Sequence, residues 1–81
     1  MENRVGVIAI VIEDLSSAPK VNETLHSFAN IIVGRMGIPY KEKGVSVISI
    51  IIDGTTDEIS ALTGKLGRIP KVNVKSAITK N

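Results

Sequence analysis

The sequence predicts one α+β domain, residues 1–81, of βαββαβ order, and three observations carry that expectation. The first is an internal repeat. Laying VGVIAIVIED (Val5 to Asp14) over VSVISIIIDG (Val45 to Gly54) gives identity at Val5/Val45, Val7/Val47, Ile8/Ile48, Ile10/Ile50 and Ile12/Ile52, so two similar halves follow one another at an offset of forty positions. The second is period. Each copy is a short run of β-branched residues closing on an acidic residue and small polar ones, which reads as a strand leading into a helix. The third is the apolar stripe that follows each copy at helical spacings of three and four.

The elements follow in order. Val5 to Ile12 is the first strand. After it, Ser16 or Ser17 can cap a helix whose first turn accommodates Pro19, because an N–H missing there has no partner to lose. Val21, Leu25 and Phe28 form that helix's apolar stripe. Asn30 to Tyr40 is the second strand. It is interrupted by Gly34, Arg35, Gly37 and Pro39, and proline is tolerated only where its absent N–H faces away from the ladder, so this strand belongs at a sheet edge. The two glycines weaken or bulge it and let another backbone approach. Tyr40 to Gly44 makes a polar hairpin into the third strand. Thr55 and Glu58 have capping-box spacing, Ile59, Leu62 and Leu66 form the second stripe, and Gly67 with Pro70 ends the second helix. Lys71 to Ala77 is the fourth strand. Right-handed crossovers then give the ferredoxin-like plait, a four-stranded antiparallel sheet of spatial order 4-1-3-2 with both helices on one face.

In such a plait the sheet face away from the helices should be polar where it meets water. Here Ile8, Ile10 and Ile12 oppose Val5, Val7, Ala9 and Val11 in the first strand, and Ile48, Ile50 and Ile52 oppose Val45, Val47 and Ile51 in the third. Both faces of both central strands are apolar. Patches of that kind mark interfaces, so a homo-oligomer, dimer or tetramer, is expected.

Composition excludes several functions. With no cysteine and one histidine, disulfides, thiolate metal sites and cysteine nucleophiles are absent, and His26, off the first stripe, is a solvent-facing residue rather than a metal ligand. No metal or cofactor is expected. The formal charge is +2, from ten Lys and Arg against eight Asp and Glu, too small a balance for a general polyanion binder. The acids stop at Glu58, whereas Lys65, Arg68, Lys71, Lys75 and Lys80 follow, which predicts a basic C-terminal face. Strands one and three carry no aromatics to stack on bases, which argues against nucleic acid readout. The longest apolar run, Val5 to Ile12, is too short for a membrane span and lacks a signal-peptide cleavage pattern, so the chain reads as soluble and cytoplasmic.

Serines and threonines lack a histidine base, and no glycine-rich phosphate loop is present, so an enzyme is not expected. The acidic pairs Glu13 with Asp14, and Asp53 with Asp57, occupy equivalent strand-to-helix loops and serve turns and helix N-termini, with a magnesium or general-base site as the alternative use. Arg35 in an apolar strand needs water or an anion. It either blocks unwanted strand pairing or binds a carboxylate or a neighbouring subunit. Gly34, Arg35, Met36, Gly37 and Pro39, together with Glu13 and Asp14, are therefore the candidate ligand or interface residues.

The run IIVGRMGIPYKEKGVSVISIIIDGTTDEISALTGKLGRIPKVNVK, with GRMGIPY and DGTTDEI as its most specific parts, resembles a family of small bacterial ACT-like proteins described as regulators of the iron-only hydrogenase system. That resemblance extends from Arg4 to Ala77. It implies a non-enzymatic regulatory module acting on hydrogenase maturation or control, with a small-molecule effector or a hydrogenase-system protein as partner. The sensing domain of nickel-responsive CopG-type repressors is similar in fold alone: those proteins use a histidine and cysteine cluster and a separate ribbon-helix-helix arm, and here only His26 is present and the plait consumes the chain. Amino-acid-binding ACT domains place a glycine in the first strand-to-helix loop, and EDLSSAP has none. The alternatives are a purely structural assembly protein without a ligand, or a weak binder of nucleic acid or other anions.

Overall fold

The computed structural model describes residues 2–79, so Lys80 of the basic run lies outside the described residues. Four strands, β1 (Arg4–Ile12), β2 (Ile32–Tyr40), β3 (Val45–Gly54) and β4 (Val72–Ile78), alternate with two helices, α1 (Ala18–Ser27) and α2 (Thr56–Gly67). All strand pairs are antiparallel in the order β2-β3-β1-β4, the 4-1-3-2 plait read from the other edge. The repeat lands on the two central strands. They pair as Ile8 with Ile50 and Ile10 with Ile48, so the isoleucines common to both copies meet one another across the sheet.

Those isoleucines form the floor of the core. Ile8, Ile10, Ile12, Ile48, Ile50 and Ile52 are buried beneath Val21 and Leu25 of α1 and Ile59, Leu62 and Leu66 of α2. Helix α2 starts as its sequence dictates: Thr55 Oγ1 accepts from the Glu58 N–H at 3.1 Å, and the Glu58 carboxylate accepts from the Thr55 N–H at 2.9 Å. These bonds satisfy two N–H groups that the helix cannot.

Helix α1 starts differently from the expectation. Ser17 occupies the cap position, but its hydroxyl donates to the Pro70 carbonyl at 2.7 Å and makes no cap bond. The capping is done earlier by Asp14, whose carboxylate accepts from the Ser16 N–H at 3.0 Å over a single 3-10 turn, Leu15–Ser17. Phe28 lies just past the helix and is half-buried against the core.

The second strand begins at Ile32 rather than Asn30, because Ala29–Ile31 form a 3-10 turn that drives Ile31 into the core. The fourth runs from Val72 to Ile78 rather than from Lys71 to Ala77. Gly67 is the last residue of α2, but the left-handed residue of the turn is Lys71, at φ 62°. At the other end, Gly44 closes the β2–β3 hairpin at φ 68°, a conformation glycine adopts without strain. No helix among the described residues is long and apolar enough to cross a membrane.

Candidate functional site: the open sheet face and its edge

Strand pairing fixes which side chains share a face, since partners in register point the same way. Away from the helices the rows read Asn73, Val11, Val47, Ile38; then Lys75, Ala9, Ser49, Met36; then Ala77, Val7, Ile51, Gly34. Val5 continues the face beside Asp53, and Tyr40 beside Val45. Val5, Val7, Val47, Ile51, Met36, Ile38 and Tyr40 are all exposed large apolar side chains, and all seven stand on this side of the sheet. Its charges, Lys75 and Asp53, are of opposite sign, so the face does not repel a copy of itself. A shallow depression of about 430 Å³ lies between Val5, Val7, Ile51 and Ala77. Beside it, a Cβ added at Gly34 would meet no atom within 4 Å.

The edge strand β2 divides the candidate residues between the two faces. Gly34 and Met36 join the open face; Arg35, Gly37 and Pro39 pair with Ile50, Ile48 and Ser46 on the helix side. A bulge at Val33 shifts the register between Ile32 and Gly34. The shift places Arg35 over α1, where its Nη2 donates to Asn22 Oδ1 at 3.1 Å. One contact leaves most of the guanidinium's five N–H donors facing solvent. His26 is exposed in the last turn of α1 and lines a shallow hollow with Arg35 and Asn22.

Glu13 and Asp14 lie beyond the end of β1, at the same end of the sheet as Pro39 but two strands away, about 10 Å at the spacing of paired strands. The structure does not bring them together with the β2 edge. Instead the Glu13 N–H donates to the Lys71 carbonyl at 2.8 Å, and the Asn73 side chain donates to the Glu13 carboxylate. Asp14 accepts from the Ser16 N–H and, at 2.8 Å, from its hydroxyl, which hold its carboxyl below the ordinary range, with help from the Lys71 charge. Among the described residues no group of three or more His, Asp or Glu could hold a metal ion. Sequence reasoning left unconnected three further side chains, Lys20, Lys65 and Arg68, which share one cleft between the helices.

No curated protein matches the chain. Among solved structures, uncharacterized protein TM1266 from Thermotoga maritima is 39% identical, with a TM-score of 0.93 over 98% of this chain and 100% of that one. The ACT domain of GTP pyrophosphokinase from Chlorobium tepidum is 20% identical, with a TM-score of 0.78 over 93% of this chain and 99% of that one, a likeness of fold. The fold is ACT-like and ferredoxin-like. A family model described as "TM1266-like: Iron-only hydrogenase system regulator, putative" matches residues 4–76. By that match and by its end-to-end likeness to TM1266, the chain belongs to the TM1266-like family of iron-only hydrogenase system regulators.

Proposed function

We propose that the chain is a non-enzymatic regulatory module that works as a homo-oligomer, a dimer or tetramer, and that senses a small molecule or binds a protein of the iron-only hydrogenase system. The observation that carries this reading is the open sheet face. Strands of seven to ten residues at about 3.4 Å per residue, four of them about 4.8 Å apart, give it a projected area of ~500 Å². Two copies face to face would bury ~1,000 Å², the lower bound for a specific interface. The apolar half of that area, ~500 Å², contributes on the order of 10 kcal/mol before association costs. A second copy is the occupant that fits: the face is flat, apolar and carries one charge of each sign.

Regulation then works by coupling. A ligand lying against two copies has different contacts in the assembled and separated states, and it shifts the balance by that difference. In this reading the edge segment Gly34, Arg35, Met36, Gly37 and Pro39 contributes to the contact, supported by Met36 on the open face and by the free donors of Arg35 behind it. Glu13 and Asp14 form a separate contact beyond the end of β1. Native mass spectrometry of the protein from its own cells tests the reading, since it reports copy number and any retained small molecule together. A single mass, that of one chain without ligand, at micromolar concentration overturns it.

A further inference from the structure

On the opposite side of the molecule, between α1 and α2, lies a cleft of about 570 Å³, within the range of small-molecule sites. Its base includes buried Ile69 and Thr24, and Lys20, Lys65 and Arg68 stand around it. Glu23, also lining it, is the one carboxylate there, and it pairs with Lys20 at 3.5 Å. Three cations against one carboxylate leave the cleft a net +2. Among the described residues neither Lys65 nor Arg68 has a carboxylate partner. Lys65 is held with its ammonium 5.5 Å from the centre of the Phe28 ring, which fixes the cation without neutralising it.

The hydroxyls around this cleft are already engaged as donors: Ser16 to the Asp14 carboxylate, Ser17 to Pro70 O, Thr24 to Lys20 O and Ser27 to Glu23 O. Donors for a bound anion therefore come from the lysines and Arg68. From this arrangement we infer that the cleft binds a small organic phosphate monoester, its dianionic head between Lys65 and Arg68 and its apolar body against Ile69 and Pro70. A monoester matches on both counts. It carries close to two negative charges above its second pKa of about 6, and its substituent supplies the apolar contact that inorganic phosphate lacks. The site lies on the helix side, so it goes beyond assembly through the sheet and is tested independently of it.

The experiment is a titration of the isotopically labelled protein with phenyl phosphate and, separately, inorganic phosphate, at low and constant ionic strength and about pH 8, followed by amide chemical shifts. The expected result is saturable shifts confined to residues 16–27 and 65–70, with phenyl phosphate bound at least about threefold more tightly than inorganic phosphate. Lys65→Gln and Arg68→Gln each weaken phenyl phosphate by about fivefold or more, the scale of one exposed charge-assisted contact, whereas Lys43→Gln, an equal loss of charge on the β2–β3 hairpin, leaves it unchanged. Binding weakens at about pH 5, where the head group is a monoanion. Shifts that never saturate, equal shifts around Lys41 to Lys43 or Lys75, or indifference to Arg68→Gln would overturn the assignment. Because shifts report on every folded copy, these outcomes read the cleft whether or not the protein assembles.

Discussion

Ile51→Lys is the most direct challenge to the assembly reading. Ile51 sits in the row Ala77, Val7, Ile51, Gly34 on the open face and is 47% exposed in the single chain. Fully burying an isoleucine is worth about 1.5–3 kcal/mol, so covering the exposed half is worth about 1 kcal/mol. In a two-fold interface each residue occurs twice, so a small polar replacement such as Ile51→Ser removes about 2 kcal/mol per dimer, roughly a 30-fold loss of affinity. Lysine adds the desolvation of two ammonium groups, several kcal/mol for each ion unless it escapes to water. Light scattering on a size-exclusion column should therefore show wild type at the assembled mass, Ile51→Ser dissociating on dilution, and Ile51→Lys at the mass of one chain. Circular dichroism should be the same for all three, because the core contacts of β3 are made by Ile48, Ile50 and Ile52 on the opposite face. Wild type and Ile51→Lys eluting at one mass would refute the argument, whichever mass that is.

Three further substitutions probe the fold beneath that face. In Gly6→Ala the new Cβ would lie 2.4 Å from Ile78 Cδ1 and 2.5 Å from the Ala77 carbonyl oxygen. The side chain can turn but the carbonyl cannot, so β4 must move and the urea midpoint should fall by an amount corresponding to about 1–3 kcal/mol; an unchanged midpoint contradicts the close approach. Thr55→Ala removes the hydroxyl half of the α2 capping box and should cost about 1 kcal/mol in the same assay, with Thr55→Ser recovering most of it. Asp14 has its carboxyl pKa lowered by the Ser16 N–H and hydroxyl, so its charge stabilises the fold above the unfolded value of about 3.9 and that contribution is lost as pH falls through the lower folded value. Thermal midpoints of wild type and Asp14→Asn should accordingly differ most near neutral pH and converge in strong acid; a gap independent of pH would contradict the assigned cause.

Much of the fold was legible because its signals are local. The β-branched runs, the Thr55–Glu58 spacing and the proline in the second strand each act over a few residues, and each led to the element found. Ser17 holds the cap position of α1 as its sequence indicates, but the capping bond is made by Asp14 instead, because serine and aspartate are both good caps. Which of them serves depends on the path of the chain, and Ser17 is drawn away by Pro70, a residue 53 positions distant. The start of β2 was misread for a similar reason. Asn30 and Ile31 suit a strand, but Ile31 is needed as a plug beside Gly54, where an added Cβ would sit 3.0 Å from its Cγ2. The open face was legible by alternation alone. The division of the β2 edge between the two faces was not, because the bulge at Val33 shifts the parity that alternation assumes.

The basic C-terminal third shows why charge along a chain is a poor guide to charge in space. Lys65 in the last turn of α2 and Arg68, the residue that caps its C-terminus, are three apart and both reach the cleft. Lys71 follows in the turn, where its charge bears on Asp14, and Lys75, in register with Ala9, joins the open face. One linear run therefore serves three surfaces, because the chain passes from a period of 3.6 through a reversal to a period of 2 within eleven residues, 65–75. The separation has a physical consequence. Apolar area is concentrated on the side away from the helices, and the cleft cations Lys65 and Arg68 stand on the helix side, so a rise in salt should weaken the proposed anion binding while leaving the proposed assembly, which rests on excluded water, nearly untouched. The packing of α1 and α2 on the sheet, by way of Leu25, Leu62 and the isoleucines beneath them, is a route by which the two would be coupled.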